Sequence, residues 1–442
     1  MEQLQSDQSA FASRRQRVLN ALTNGTVLVV EGASQCTRNA DTHYPFRQDS
    51  RFYYLTGYES PDTLAVFSKD LQGHTRFVLF CLDRDPVAEL WDGVRYGCAH
   101  LQEVCGADEA LPCATIDEEM PRLLAHHPRV LCNIRNELLL QRVQRWSSAC
   151  RAQRGRALDV APSVFEDSKS LFERLRVCKD EAELNAMREA ARITVDGHLA
   201  AMAICRPGVK EYQLEAALIE TFMRQGCRSC AYPSIVATGK NACTLHYVLN
   251  QSTVEAGDLV LIDAGAEYAQ YAADVTRTFP ANGRFSGAQA ELYNLVLSAQ
   301  LAAIAVIKPG IPYGRIHETA VHVLTEGLVA LGLLKGDVAT LIADGAYRTY
   351  YPHGTGHWLG LDVHDEGPYG DAKKPVLLEE GMVLTVEPGL YIPNTPAVHN
   401  AAWNGLGIRI EDDVCVTAQG YEVLTQALPK TIGDLEAVLG TR

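Results

Sequence analysis

Four acidic residues of this 442-residue chain stand within or at the ends of apolar runs. An ionised carboxylate is costly there unless it is paired, hydrogen-bonded or bound to a cation. Leu259-Val260-Leu261-Ile262-Asp263 reads as a buried strand that ends on an acid. Taken alone, such an aspartate usually ties down the turn that follows it. Further on comes Asp274-Val275-Thr276-Arg277-Thr278-Phe279, where strand alternation puts Asp274, Thr276 and Thr278 on one face. A hairpin between the two segments would bring Asp263 and Asp274 to one point. Two carboxylates in an apolar site stay ionised together only around a cation. Val383-Leu384-Thr385-Val386-Glu387 buries a glutamate in a strand that Pro388 stops. In Gly407-Ile408-Arg409-Ile410-Glu411, Arg409 and Glu411 share a strand face, a pattern that a surface salt bridge on an edge strand also produces.

The run His353-Gly354-Thr355-Gly356-His357 is followed closely by His364. Glycines beside the histidines argue for tight backbone approach rather than regular helix. A lone histidine is more often a satisfied core residue. Three in so short a stretch, with His246 in Thr244-Leu245-His246-Tyr247, read as a site. Four carboxylates and one imidazole form an oxygen-rich donor set that suits Mn(II) or a similar divalent ion better than structural zinc. Bridging acids can hold two ions about 3.5–4 Å apart, as in metal-assisted hydrolysis by a shared hydroxide. The remaining histidines would then bind a substrate carbonyl or move protons.

These residues need a scaffold, and the second part of the chain supplies a repeated one. Asp180 with Glu183 three positions on forms a capping-box start, and the helical pattern runs to Cys205 before Arg206-Pro207-Gly208. A second helix ends at Gly226. Roughly a hundred residues later a helix from Gly287 stops at Lys308-Pro309-Gly310 and another ends near Gly332. The repetition suggests two facing halves of helix pair plus strands, although helices stop at Pro-Gly by chance as well. The first part of the chain reads as mixed α/β. A helical pattern spans Ala10 to Leu22, strands fall at Val27–Val30, Thr63–Phe67, Phe77–Leu82 and Val130–Asn133, and an amphipathic stretch spans Glu137–Cys150. It carries no cluster of histidines and carboxylates.

Length favours two domains, and the ordinary composition excludes a disordered, collagen-like or coiled-coil chain. A formal net charge of −14 repels phosphate backbones and anionic membrane surfaces, so neither nucleic acid nor membrane is an expected partner. The most apolar stretch, Leu295–Ile307, is shorter than the about 20 residues that span a bilayer. The polar start Met1–Asp7 lacks the features of a signal peptide. Thirteen cysteines without framework spacing fit a reducing, cytoplasmic setting. Cys227 and Cys230 have no second pair or histidine at zinc-finger spacing and read as incidental thiols.

From about Arg176 onward the chain resembles the aminopeptidase P family of pita-bread metallopeptidases. The matching blocks are the Asp263 segment, Asp274–Thr278, His353–Asp365, Thr385–Tyr391 and Gly407–Asp413, all in the expected order. Asp49–Gly57 more loosely resembles the creatinase-like domain that precedes this catalytic domain. The resemblance implies an α/β (α+β) fold, with a creatinase-like domain over residues 1–172 and a pita-bread catalytic domain over 173–442. It implies two divalent metal ions, Mn(II) by preference, held by Asp263, Asp274, His357, Glu387 and Glu411, with Asp274 and Glu411 bridging. His353 and His364 would contact substrate, His246 would lie beside it, and Arg409 and Tyr391 would act behind the metal ligands. The implied reaction releases the N-terminal residue from peptides with proline second, in a homo-oligomer (dimer or tetramer). A prolidase restricted to dipeptides shares these blocks, but the polar segment Pro393–Asn404 offers no Arg or Lys to cap a dipeptide carboxylate. A pita-bread protein that has lost catalysis would lack several ligands, and here all five are present.

Overall fold

The computed structural model describes residues 8–154, 161–371, 373–394 and 400–440. The start Met1–Asp7 and the middle of the Pro393–Asn404 segment therefore lie outside the described residues. The chain divides into two compact units, Met1–Leu175 and Arg176–Arg442.

In the first unit, all four apolar runs are strands of one sheet: Thr26–Glu31, Leu64–Lys69, Thr75–Cys81 and Arg129–Cys132. Two further strands, Glu109–Pro112 and Val164–Asp167, close its edges. Both are short and only partly buried, so neither carries the apolar run by which a strand is recognised. Helices Ile116–Leu124 and Glu137–Arg154 contribute Met120, Leu124, Val143 and Trp146 to the core over the sheet. In the Asp49–Gly57 block, Asp49 accepts from the backbone N–H groups of Arg51 and Phe52, and Gly57 ends the helix Ser50–Thr56 in the left-handed region.

The second unit begins with the expected capping box. Asp180 and Glu183 open the helix Glu181–Ile204, which packs on the helix Glu211–Arg224. Ser286 and Gln289 repeat the device for Gly287–Ala305, which packs on Gly314–Ala330. Leu259–Asp263 is the central strand of an antiparallel sheet, between Thr276–Pro280 and Ile235–Thr238. A second antiparallel sheet holds Val383–Val386, Asp412–Thr417 and Gly420–Val423.

Two local expectations need correction. Asp274 precedes its strand instead of lying in it, because its N–H turns away to the carboxylate of Asp413. Gly407–Asp413 is not one strand either. Gly407–Arg409 pairs with Gly389–Tyr391, whereas Asp412–Thr417 joins the other sheet. At the changeover the N–H of Glu411 donates to Thr276 O at 3.0 Å. Both Arg409 and Glu411 are buried, so the surface salt bridge on an edge strand is excluded.

Candidate metal centre

Strand Leu259–Asp263 pairs with Thr276–Pro280 so that Asp263 faces Thr276. The connection between them returns Asp274 beside Asp263, and the Tyr232 hydroxyl lies 2.6 Å from one carboxylate and 2.5 Å from the other. Close packing fixes this turn: a Cβ on Gly265 would lie 1.7 Å from Ala273 O. Glu411 reaches the same place from the second half, accepting from the Thr276 hydroxyl at 2.7 Å. Glu387, just past Val383–Val386, lies 3.7 Å from Nε2 of His357.

His357 is presented by the glycine-flanked loop. A Cβ on Gly356 would stand 1.9 Å from Thr385 O, so only glycine lets the loop lie this close to the strand. Nδ1 of His357 is 3.0 Å from Trp358 O and so carries a proton, and Nε2 faces Asp274 at 3.3 Å. Asp274, His357 and Glu411 each offer a ligand atom within 4.8 Å of the others.

The electrostatics show what this cluster lacks. Burial, together with Asp274, Glu387 and Asp263, pushes Glu411 well above the usual carboxylate range. Burial raises Glu387 to about 7 against the pull of His357, with Asp274 adding to the rise. Burial raises Asp263 too, with Arg409 opposing it. Asp274 is the exception: despite its burial, the hydrogen bond and charge of His357 bring it down. Burial disfavours the charged form of His357, but Asp274 and Glu387 lift it to about 9. Three buried carboxylates and the partly buried Glu387, facing one imidazole and one guanidinium, are short of positive charge. Divalent ions supply it, so the donor set fits them.

Behind the acids, Arg409 donates to Asp263 Oδ2 at 2.5 Å, to the Thr276 hydroxyl at 3.0 Å and to the Tyr391 hydroxyl at 3.0 Å. Tyr391 in turn is 2.9 Å from Nε2 of His353, whose Nδ1 is 2.7 Å from Gly354 O. Burial takes His353 down to about 4, so it is neutral and accepts the tyrosine proton. The His364 ring stands edge-on to His357 with centroids 4.3 Å apart. His246 is exposed on the loop after the turn Gly239–Cys243, near enough for its charge to act on His353 and His364.

All ten residues singled out in the sequence thus stand in or around one cluster. Sequence reasoning missed Tyr232, which lies in Ala231-Tyr232-Pro233, next to the thiols that drew attention. Of those thiols, Cys227 is in the core and Cys230 accepts a long contact from Ser234 at 3.9 Å. Asp413, the acceptor of the Asp274 N–H, was also missed. Its burial was hidden by the acidic run Glu411-Asp412-Asp413, which reads as solvated surface.

Clustered buried acids with an imidazole oriented by its own loop define a metal-dependent hydrolase. A model of metallopeptidase family M24 matches residues 185–418, and a model of the aminopeptidase P N-terminal domain matches residues 11–131. A Xaa-Pro aminopeptidase of Haemophilus influenzae is 41% identical over 97% of this chain and 96% of its own. Among solved structures, Pseudomonas aeruginosa aminopeptidase PepP aligns with a TM-score of 0.94 at 42% identity, covering 99% of this chain and 98% of that one. Zinc-substituted Escherichia coli aminopeptidase P in complex with product aligns at 0.93 and 39% identity, over 98% of each chain. The chain belongs to metallopeptidase family M24, in its aminopeptidase P group. Its second unit has the pita-bread fold of that group, and the protein is a metal-dependent peptidase.

Proposed function

We propose that Asp263, Asp274, His357, Glu387 and Glu411 together hold two divalent ions, with Asp274 and Glu411 shared between them. The reaction is hydrolytic release of the N-terminal residue from peptides whose second residue is proline. The observation that carries the ligand assignment is the convergence of Asp274, His357 and Glu411 on one point inside a shell of further buried acids. The oxygen-rich set favours Mn(II). Divalent ions held there would supply the charge that polarises the scissile carbonyl and acidifies a water.

The chain's own residues do the rest. Arg409 neutralises Asp263 and, through Tyr391, holds His353 neutral and oriented. His353, His364 and His246 line the approach to the acids, where they bind the substrate carbonyl and pass a proton toward the departing proline nitrogen. The thirteen free cysteines suit a cytoplasmic enzyme. Among the described residues no helix is long and apolar enough to cross a membrane. A homodimer or homotetramer completes the proposal.

The histidines test the assignment, because only one of them is a ligand in it. His357→Ala should lower bound metal, measured by elemental analysis. His353→Ala and His364→Ala should keep the metal and lose turnover. Equal metal loss in all three variants would show that these roles are wrong.

A further inference from the structure

The core-facing side of the helix Glu181–Ile204 carries three buried polar side chains among apolar ones: Glu183, Thr194 and His198. Each meets the connection that runs from Asp263 to Asp274. The Tyr271 hydroxyl donates to Glu183 Oε1 at 3.0 Å, the N–H of Ala266 donates to the Thr194 hydroxyl at 2.9 Å, and His198 Nε2 lies 3.0 Å from Ala264 O. A carbonyl only accepts, so the proton is on Nε2. Nδ1 is then an acceptor, and among the described residues it has no partner.

That arrangement is costly. An unsatisfied buried polar atom typically costs about 1–3 kcal/mol, and an aromatic or aliphatic side chain of similar volume would avoid the cost. What the imidazole gains is hold over one peptide unit. Ala264 follows Asp263 directly; its carbonyl takes the His198 proton, and its N–H donates to Val275 O at 3.0 Å, next to Asp274. The two backbone groups of Ala264 therefore tie both acid-bearing segments to each other and to the helix. With no room beside Gly265, the turn cannot absorb a shift by bending locally.

We propose that His198 is a positioning residue for the metal centre: its hydrogen bond to Ala264 sets the spacing of the Asp263 and Asp274 carboxylates. The inference rests on the metallopeptidase reading above. It concerns a residue of the helix that touches neither substrate nor metal.

The test compares His198→Phe, which keeps a ring and removes the donor, with His198→Gln, which returns an N–H at similar reach. Full-length proteins are stripped with chelator and titrated with Mn(II) by calorimetry, and thermal unfolding of the stripped proteins is followed in parallel. His198→Phe should weaken Mn(II) binding about 10–100-fold, the range for partners behind metal ligands, and His198→Gln should stay within about threefold of wild type. Should His198→Phe fail to fold, Thr194→Val, which cuts the neighbouring tie at Ala266, should weaken binding about tenfold in a folded protein. Wild-type affinity in His198→Phe, or in the folded Thr194→Val, overturns the proposal. So does equal weakening by Phe and Gln at unchanged stability. A wild-type chain that takes up no Mn(II) would instead remove the metallopeptidase reading itself.

Discussion

Replacing Arg277 with Met should destabilise the second unit by about 3–5 kcal/mol, the usual cost of breaking a buried ion pair from one side. Arg277 is fully buried and uses all its donors. Nε reaches Pro429 O at 2.9 Å, and Nη1 reaches Thr276 O at 3.0 Å and Glu411 O at 2.6 Å. Nη2 reaches Asp412 Oδ1 at 2.7 Å and Leu428 O at 3.0 Å. Asp412 is equally buried, and although burial pushes it up, Arg277 and Lys430 hold it at about 2. In Arg277→Met, Asp412 keeps Lys430, Gln300 and Thr425 but loses one of its two cationic partners, both 2.7 Å away, and four carbonyls lose a donor. Folded domains are stable by only about 5–15 kcal/mol, so the loss is a large part of the total. Urea unfolding of wild type and variant, followed by tryptophan fluorescence, measures it. The double variant Arg277→Met with Asp412→Leu should regain part of the loss, because the stranded charge is gone. A single-variant loss below about 1 kcal/mol would refute the reasoning, since it would mean the pair contributes no more than a surface salt bridge.

Two further outcomes follow from the geometry. Tyr232→Phe removes the hydroxyl between Asp263 and Asp274 and should weaken Mn(II) affinity about 10-fold or more by calorimetry; unchanged affinity would show that the hydroxyl does not organise the acids. Burial lowers His198 to about 4, against about 6.5 in an unfolded chain, so the unfolded state binds the extra proton between those values. Its contribution, at most about 3 kcal/mol, is complete above about pH 6.5 and is lost as pH falls toward 4. The stability difference between wild type and His198→Gln should therefore shrink or reverse by up to that amount over this window; a flat difference would contradict a neutral buried imidazole.

Much of this site could be read from the sequence because its acids break the rule that buried strands are apolar. Asp263 stands out after a continuous run of aliphatic residues and Glu387 after a run broken only by Thr385, and the glycines around His353 and His357 mark a loop rather than a helix. The central strands of the first unit were visible for the same reason. Residues whose meaning depends on another segment were not visible. Tyr232 is an ordinary aromatic until the hairpin closes beneath it. Asp413 looks solvated until its strand enters the sheet with Val383–Val386. The split at Ile410 and Glu411 was hidden because strand alternation continues through the change of partner. His198 reads as one polar residue on a helix, and only the carbonyl of Ala264 gives it a role.

The measurement that bears most directly on the central claim is a product assay on Xaa-Pro-Pro tripeptides and Xaa-Pro dipeptides, with enzyme as purified, chelated, and resupplied with Mn(II). A metal-dependent Xaa-Pro aminopeptidase should release the free first amino acid, faster from the tripeptide, with activity abolished by chelation and restored by Mn(II) and little turnover when alanine replaces proline in second position. Turnover confined to dipeptides would make the protein a prolidase on the same fold and ligands. Full activity in a protein that elemental analysis shows to be free of metal would contradict the account at its centre.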